Sequence, residues 1–394
     1  MRRSEKIENL KKGLNRLPFL VSFLSVFIII FDLGFDQSNQ IQDFLNYIYI
    51  ITLSLGVISP LVKDFFTRKE IGLKVWLFDS ISVLYILLIL LFNLNLIPHS
   101  NYLEILNNPT FTYTALFLVA FREFSAQKIN LKRTIFNPAQ IFILSFFLII
   151  LTGTLLLMLP NATYSGISAV NALFTSTSAV CVTGLAVVDT GTYFTGFGIT
   201  IIIILIQIGG LGIMTFASYF SYFFTGSSSY ENHLVLSDMT NINKLGEVFS
   251  SLKNIILLTF FIEFLGAVFI FYSIDESVIP GLYNRISFSF FHSISGFCNA
   301  GFSTLPNGLY ESGFRFNYPL HLTLAFLIIF GGLGFPIVFN TFKYLKHVII
   351  TNILSFNKKL ETYHVPWVLN LNSRIILITT FGLIVSGTVL FYIL

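Results

Sequence analysis

Apolar residues run along this chain in long blocks separated by short polar stretches. Leu17–Leu33, Phe44–Val62, Val75–Ile97, Ile141–Leu159, Phe197–Phe224, Ile255–Ile274, Leu320–Phe342 and Ile375–Leu394 are the longest. Each is close to the ~20 residues that a helix needs to cross the hydrocarbon core of a bilayer. Backbone N–H and C=O groups find no partner in lipid, so such segments must be helical. The pattern predicts an all-α integral membrane protein. The first block follows a basic stretch, as a signal peptide would. It has no small-residue cleavage site and further spans follow it, so it reads as a membrane helix.

Composition narrows the class. Of the 394 residues 55% are hydrophobic and only 11% charged, against roughly 25% charged in a soluble domain. So few charges cannot cover a water-soluble surface. The net charge of +4 offers no nucleic-acid surface, and the partner that composition does imply is the lipid bilayer. Cys181 and Cys298 give neither a disulfide framework nor a metal spacing. The six histidines are scattered, and no Ser/His/Asp cluster stands out. Neither an enzyme nor a bound cofactor is expected.

The basic residues set an orientation. Arg2, Arg3, Lys6, Lys11, Lys12 and Arg16 open the chain; Lys63, Arg68, Lys69 and Lys74 follow the second span; Arg122, Lys128, Lys132 and Arg133 precede Ile141; Lys343, Lys346, Lys358, Lys359 and Arg374 lie between the last two blocks. Residues 34–43, 98–110 and 161–195 hold no Lys or Arg. The positive-inside rule then puts the N-terminus in the cytoplasm of a cell-membrane protein. Parity demands one further crossing, from Pro109 to about Ala126, with Arg122 snorkelling at its cytoplasmic end.

The chain also repeats itself. Leu159-Pro160 is echoed by Ile279-Pro280. Thr175-Ser-Thr-Ser-Ala-Val-Cys-Val-Thr-Gly-Leu185 is echoed by His292-Ser-Ile-Ser-Gly-Phe-Cys-Asn-Ala-Gly-Phe302. Gly209-Gly-Leu-Gly212 returns as Gly331-Gly-Leu-Gly334. Each repeat reads as a span, a short amphipathic segment, a turn of small residues and a second span. The segments Asn171–Val180 and Arg285–Phe297 are too short and polar to cross, so they enter and leave on one side as re-entrant loops, which membranes tolerate where backbone lines a cavity. The expected organisation is a four-span region at 1–133, pore repeats at 134–247 and 248–350, and a cytoplasmic loop with the first span of a third repeat at 351–394.

Dehydrated cations need oxygens at close range, and backbone carbonyls supply them where glycine permits the dihedrals. Val182-Thr183-Gly184 and Asn299-Ala300-Gly301 have that form, with no acidic side chain in either turn. Asp189 and Glu311 lie beyond the turns and are placed to enrich cations in an outer vestibule.

Asn137–Gln140, Gly153–Pro160, Ser178–Leu185, Asp189–Gly191, Gln207–Met214 and Cys298–Ser303 together resemble the Trk/Ktr/HKT superfamily of potassium transporters, over residues 137–394. The resemblance implies four span–pore–span repeats around one ion path, with Val182, Thr183, Gly184, Asn299, Ala300 and Gly301 facing potassium through their carbonyls. It implies transport of potassium, or sodium, across the cytoplasmic membrane, and a ring of nucleotide-binding regulatory subunits on the cytoplasmic side, met by residues 225–252. A homodimer is expected. The chain departs from the family in its four leading spans and in holding two pore loops, with no counterpart of the gating loop of the third repeat. A truncated copy of a longer transporter is the favoured explanation; a half-size protein completing its filter by dimerisation is the other. A secondary transporter with broken helices and a membrane enzyme stay open as alternative functions.

Other residues carry plainer readings. Cys181 and Cys298 read as small packing residues behind the turns, the Gly-Gly-Leu-Gly sets as helix-packing sites, and His292 as a packing or capping residue. Glu263 and Asp79 are intramembrane acids, divided between functional and structural roles. A voltage sensor would need a ladder of arginines on the fourth span, where Arg122 stands alone.

Overall fold

The computed structural model describes residues 2–67, 73–94, 96, 108–125, 138–224, 247–335, 337–344, 348 and 371–394. Residues 225–246, most of the 225–252 segment expected to meet a regulatory partner, lie outside the described residues, as do Lys128, Lys132, Arg133, Asn137, Lys346, Lys358 and Lys359. Among the described residues the regular structure is helical apart from one isolated bridge between Thr163 and Phe194, and the chain divides into two compact units, Met1–Thr134 and Ile135–Leu394.

The first unit holds α1 (Arg2–Gly34), α2 (Asn39–Thr67), α3 (Leu73–Asn93) and α4 (Pro109–Ser125). Parity required a crossing where α4 stands, and its helix is short because the apolar part of its sequence is short. Leu53, Ile86, Ile89, Leu116 and Val119 form the core. Gly56 admits α4: a Cβ there would lie 2.5 Å from Val119 Cγ2.

Polar residues inside this bundle find one another. Asp32 Oδ2 on α1 accepts from Tyr49 Oη on α2 at 2.7 Å and from Tyr113 Oη on α4 at 2.8 Å. Further along α4, Arg122 does not snorkel: it is buried, donates to the Gly56 carbonyl and lies 3.6 Å from Glu123. Glu123 in turn accepts from Ser59 Oγ at 2.9 Å. The adjacent carboxylate and the carbonyl offset the desolvation of the guanidinium, which a lone arginine would escape only by reaching water. Asp32→Ala should leave two tyrosine hydroxyls without their acceptor and cost roughly 1–3 kcal/mol. Thermal unfolding in detergent reads this, and Tyr113→Phe should cost less.

The second unit is built from two matching hairpins and a trailing helix. The first comprises α5 (Pro138–Leu157), α6 (Ala169–Val180), the one-turn α7 (Thr190–Tyr193) and α8 (Gly196–Phe224). The second comprises α9 (Glu247–Ser273), α10 (Leu282–Phe297) and α11 (Tyr318–Leu333), followed by α12 (Ile337–Tyr344). The trailing helix is α13 (Leu371–Ile393). In each hairpin the middle helix, 12 residues for α6 and 16 for α10, packs against the helices on both sides of it, α5 and α8 in the first and α9 and α11 in the second.

One block expected as a single span is broken. Leu320–Phe342 divides at Gly334, whose φ is +79°, and α12 leaves at 111° to α11. The matching Gly212 lies inside the unbroken α8. The sequences diverge just beyond: Pro336 stands where the first repeat has Met214, and proline cannot donate to the helix ladder. Among the described residues six helices are long and apolar enough to cross a membrane, and the bent pair makes a seventh candidate. The molecule is a multi-pass, all-α membrane protein.

Candidate functional site

The two short helices end in the same way. Ser168 caps α6, its side chain accepting from Asn171 N at 3.3 Å. Pro280 and Gly281, the latter at φ +88°, lead into α10. Both helices bury polar side chains, and carbonyls of the neighbouring span satisfy them. Ser176 Oγ donates to Ile150 O at 2.8 Å, and Ser293 Oγ donates to Glu263 O at 2.6 Å. A Cβ on Gly153 would strike Ser176 Oγ and one on Gly266 would strike Ser293 Oγ; both would also strike the methyls of Leu205 and Leu327, respectively. The duplication seen in sequence is therefore a duplication of contacts.

At the C-terminus of α6, Cys181 N donates to Thr177 O at 2.8 Å, Val182 N to Ala179 O at 3.3 Å and Thr183 N to Ser178 O at 2.9 Å. At the C-terminus of α10 the same ladder joins Cys298 N to Ile294 O, Asn299 N to Gly296 O and Ala300 N to Ser295 O at 2.9, 3.1 and 2.8 Å. The chain then takes an alternating course. Val182 and Gly184 have φ of +56° and +75°, and Asn299 and Gly301 have +58° and +72°. Thr183 and Ala300 between them are not in the left-handed region. Asparagine tolerates that region; a β-branched valine rarely enters it. Strain of about 1–3 kcal/mol at such a residue persists only where the surroundings impose it, and it concentrates at functional sites.

The turns meet. A Cβ on Gly184 would lie 2.6 Å from Ala300 O and 3.0 Å from Gly301 Cα, and one on Gly301 would lie 3.1 Å from Gly184 Cα. Thr183 Oγ1 bonds Ser178 Oγ at 3.0 Å, and Ser295 Oγ donates to Phe302 O at 2.7 Å. His292 packs 3.9 Å from the Phe288 ring, centroid to centroid, with Nδ1 against Phe288 O at 2.9 Å and Nε2 against Ser303 Oγ at 3.1 Å. All six residues singled out by sequence thus sit on two apposed turns.

The surroundings sharpen other readings. Gly209 and Gly331 admit the Val180 and Phe297 carbonyls, so each Gly-Gly-Leu-Gly set opens with the glycine that seats the end of a short helix. Asp189 caps α7, accepting from Thr192 N at 2.8 Å, and Glu311 accepts from Asn307 Nδ2 at 2.8 Å. Both carboxylates shape local backbone. The cysteines differ: Cys298 is buried and Cys181 exposed. Cys298 has α8 to pack on, since a Cβ on Gly210 would lie 2.6 Å from its Sγ. Glu263 is buried and accepts from Gln207 Nε2 at 3.2 Å. Asp79 is half-buried in α3. Gln207 was not legible as a partner from either repeat alone.

A family model described as "TrkH: Cation transport protein" matches residues 106–394. The chain is 40% identical over 210 residues to the Ktr system potassium uptake protein B of Bacillus subtilis (strain 168), covering 53% of this chain and 46% of that protein. It is 34% identical over 256 residues to the Ktr system potassium uptake protein B of Vibrio alginolyticus, covering 65% and 51%. It is 34% identical over 261 residues to the potassium/sodium uptake protein NtpJ of Enterococcus hirae, covering 65% and 52%. The chain spans about half the length of the curated relatives it matches.

Proposed function

The chain belongs to the TrkH family of cation transport proteins, and from that premise we propose that it carries potassium, with sodium as the competing ion, across the cell membrane along a path lined by the carbonyls of Val182, Thr183, Gly184, Asn299, Ala300 and Gly301. The observation that carries this reading is the alternation of left-handed and ordinary φ at 182–184 and 299–301. Alternation turns successive carbonyls to one side of the strand, which lets a row of oxygens replace a hydration shell. Each row begins at the C-terminus of a short helix, whose dipole favours a cation there. The relatives named as potassium and potassium/sodium uptake proteins support the choice of ion.

Two turns supply two sides of such a path. The seam between the repeats supports closure by further repeats. Gly210 on α8 receives Cys298, whereas the matching Gly332 on α11 is exposed, a Cβ there meeting Asn299 Nδ2 at 3.8 Å. The matching Cys181 is exposed at the other edge. The two edges carry complementary halves of one contact, as in a heterologous interface that closes into a ring. In this reading the N-terminus is cytoplasmic, the assembly is a homodimer, and a nucleotide-binding regulatory ring meets it from the cytoplasm.

The test is complementation of a potassium-uptake-deficient strain by the full reading frame, with cation flux into liposomes containing the purified protein. Growth at limiting potassium and saturable flux are expected. No rescue together with no flux removes the transport reading.

A further inference from the structure

The duplicated contacts identify two positions where the fold departs from its own plan. Ser176 Oγ donates to the Ile150 carbonyl and Ser293 Oγ to the Glu263 carbonyl, so Glu263 stands where the first repeat has Ile150. Gln207 lies two residues before Gly209, and the second repeat has Ile329 two residues before Gly331. The architecture therefore asks for an aliphatic residue at both places. The two polar residues instead face each other across the seam between α8 and α9. Gln207 Nε2 donates to Glu263 Oε1 at 3.2 Å, and Cys298 Sγ lies 3.8 Å from the same oxygen.

Glu263 is 2% exposed, and both its Oε2 and Gln207 Oε1 are buried without a hydrogen-bond partner. A buried carboxylate with no positive charge beside it is among the costliest arrangements in a protein, and each orphaned acceptor adds its own desolvation penalty. Among the described residues, the other charged and ring-nitrogen side chains on the packed elements turn elsewhere. Lys253 is an exposed residue of α9. On α10, Arg285 lies over the Phe271 ring and His292 bonds Phe288 and Ser303. His321 on α11 bonds Phe314 O. Among the described residues, the titratable group that touches Glu263 is the Cys298 thiol.

We propose that Glu263 and Gln207 form a binding site for one monovalent cation, the proton included, held by Glu263 Oε2 and Gln207 Oε1 behind the second pore turn. A proton taken from solvent onto Oε2 makes that oxygen a donor to Gln207 Oε1 and completes a cyclic acid–amide pair. An alkali-metal ion takes both oxygens as ligands. Either one neutralises the carboxylate and satisfies both orphans, which water alone does not do, since it leaves the charge. Cys298 directly precedes Asn299, so occupancy of the site is coupled to the second turn and has no counterpart at the first. The site stands whether or not the turns conduct potassium.

Infrared difference spectroscopy on the purified full chain in lipid tests this directly, because it reads the carboxyl itself and not flux. A protonated-carboxyl band at neutral pH that disappears in E263Q identifies the proton as the ligand. A carboxylate band that shifts when sodium or potassium is exchanged for N-methylglucamine, and disappears in E263Q, identifies an alkali cation. An ionised Glu263 whose bands respond neither to pH nor to the cation overturns the site. Gln207→Ile keeps Glu263 and should move the same band, a readout that remains if E263Q does not fold; an unmoved band there also overturns the proposal.

Discussion

Gly301→Ser and Gly184→Ala should each lower the potassium-over-sodium flux ratio by tenfold or more. Two costs combine. Both glycines sit in the left-handed region, at φ of +72° and +75°, where an L-residue pays roughly 1–2 kcal/mol. Each new Cβ would also press on backbone of the opposite turn. It would lie 3.1 Å from Gly184 Cα in one case and 2.6 Å from Ala300 O in the other. Backbone in a turn tied by three main-chain hydrogen bonds cannot yield as a side-chain tip does, so the turns must separate. Carbonyls that move relative to the ion lose the differential solvation that selects it, and 1.4 kcal/mol of that difference is about a factor of ten. The closer contact predicts the larger effect at Gly184. Gly166→Ala is the control: its φ is +77°, but a Cβ there meets nothing within 4 Å. It should cost stability and leave selectivity unchanged. Rubidium and sodium fluxes into liposomes measure the ratio, and an unchanged ratio in both turn variants removes these glycines from the ion path.

These glycines were legible in the sequence because the molecule states them twice. A glycine three residues after a cysteine, at the end of a short polar segment, means little once; repeated between matching spans it marks a backbone requirement. What stayed hidden follows the same logic in reverse. Glu263 and Gln207 each break the repeat: the matched serine contacts reveal that Ile150 holds the place of Glu263, and the Gly-Gly-Leu-Gly register then sets Ile329 against Gln207. Arg122 looked like a snorkelling end residue because its partners, Gly56 and Ser59's acceptor Glu123, come from another helix or from burial that periodicity does not report. The break between α11 and α12 was concealed by apolar composition: hydropathy reads straight across Gly334. Cys181 and Cys298 share a motif, yet only Cys298 has a neighbouring hairpin to bury it.

Gly209→Ala and Gly331→Ala should prevent stable folding of the second unit, which is the largest stability effect expected in the chain. These glycines are helical and need no unusual dihedral, so the cost arises from space alone. A Cβ at Gly209 would overlap the Val180 carbonyl, and one at Gly331 would overlap the Phe297 carbonyl. Those carbonyls end the two short helices, whose positions are fixed from the other side by Ser176 and Ser293 bonding the first span of each hairpin. The short helix cannot retreat without breaking that bond, and the long helix cannot retreat without pulling Leu205 or Leu327 off the first span at Gly153 or Gly266. Overpacking of a methyl group in an adaptable core costs about 1–3 kcal/mol. Here the obstacle is backbone on both sides, so the expected cost exceeds the upper end of that range and approaches the whole stability of a domain, about 5–15 kcal/mol. Gly382→Ala supplies the comparison, since a Cβ there meets nothing within 4 Å. A methyl added to a helical glycine should thus be tolerated at Gly382, giving wild-type yield, and not at Gly331, giving aggregate. Detergent-solubilised yield and thermal midpoint for the three variants decide it; a Gly331→Ala protein as stable as Gly382→Ala would mean that the helix does not approach the short-helix carbonyl as closely as the fold requires.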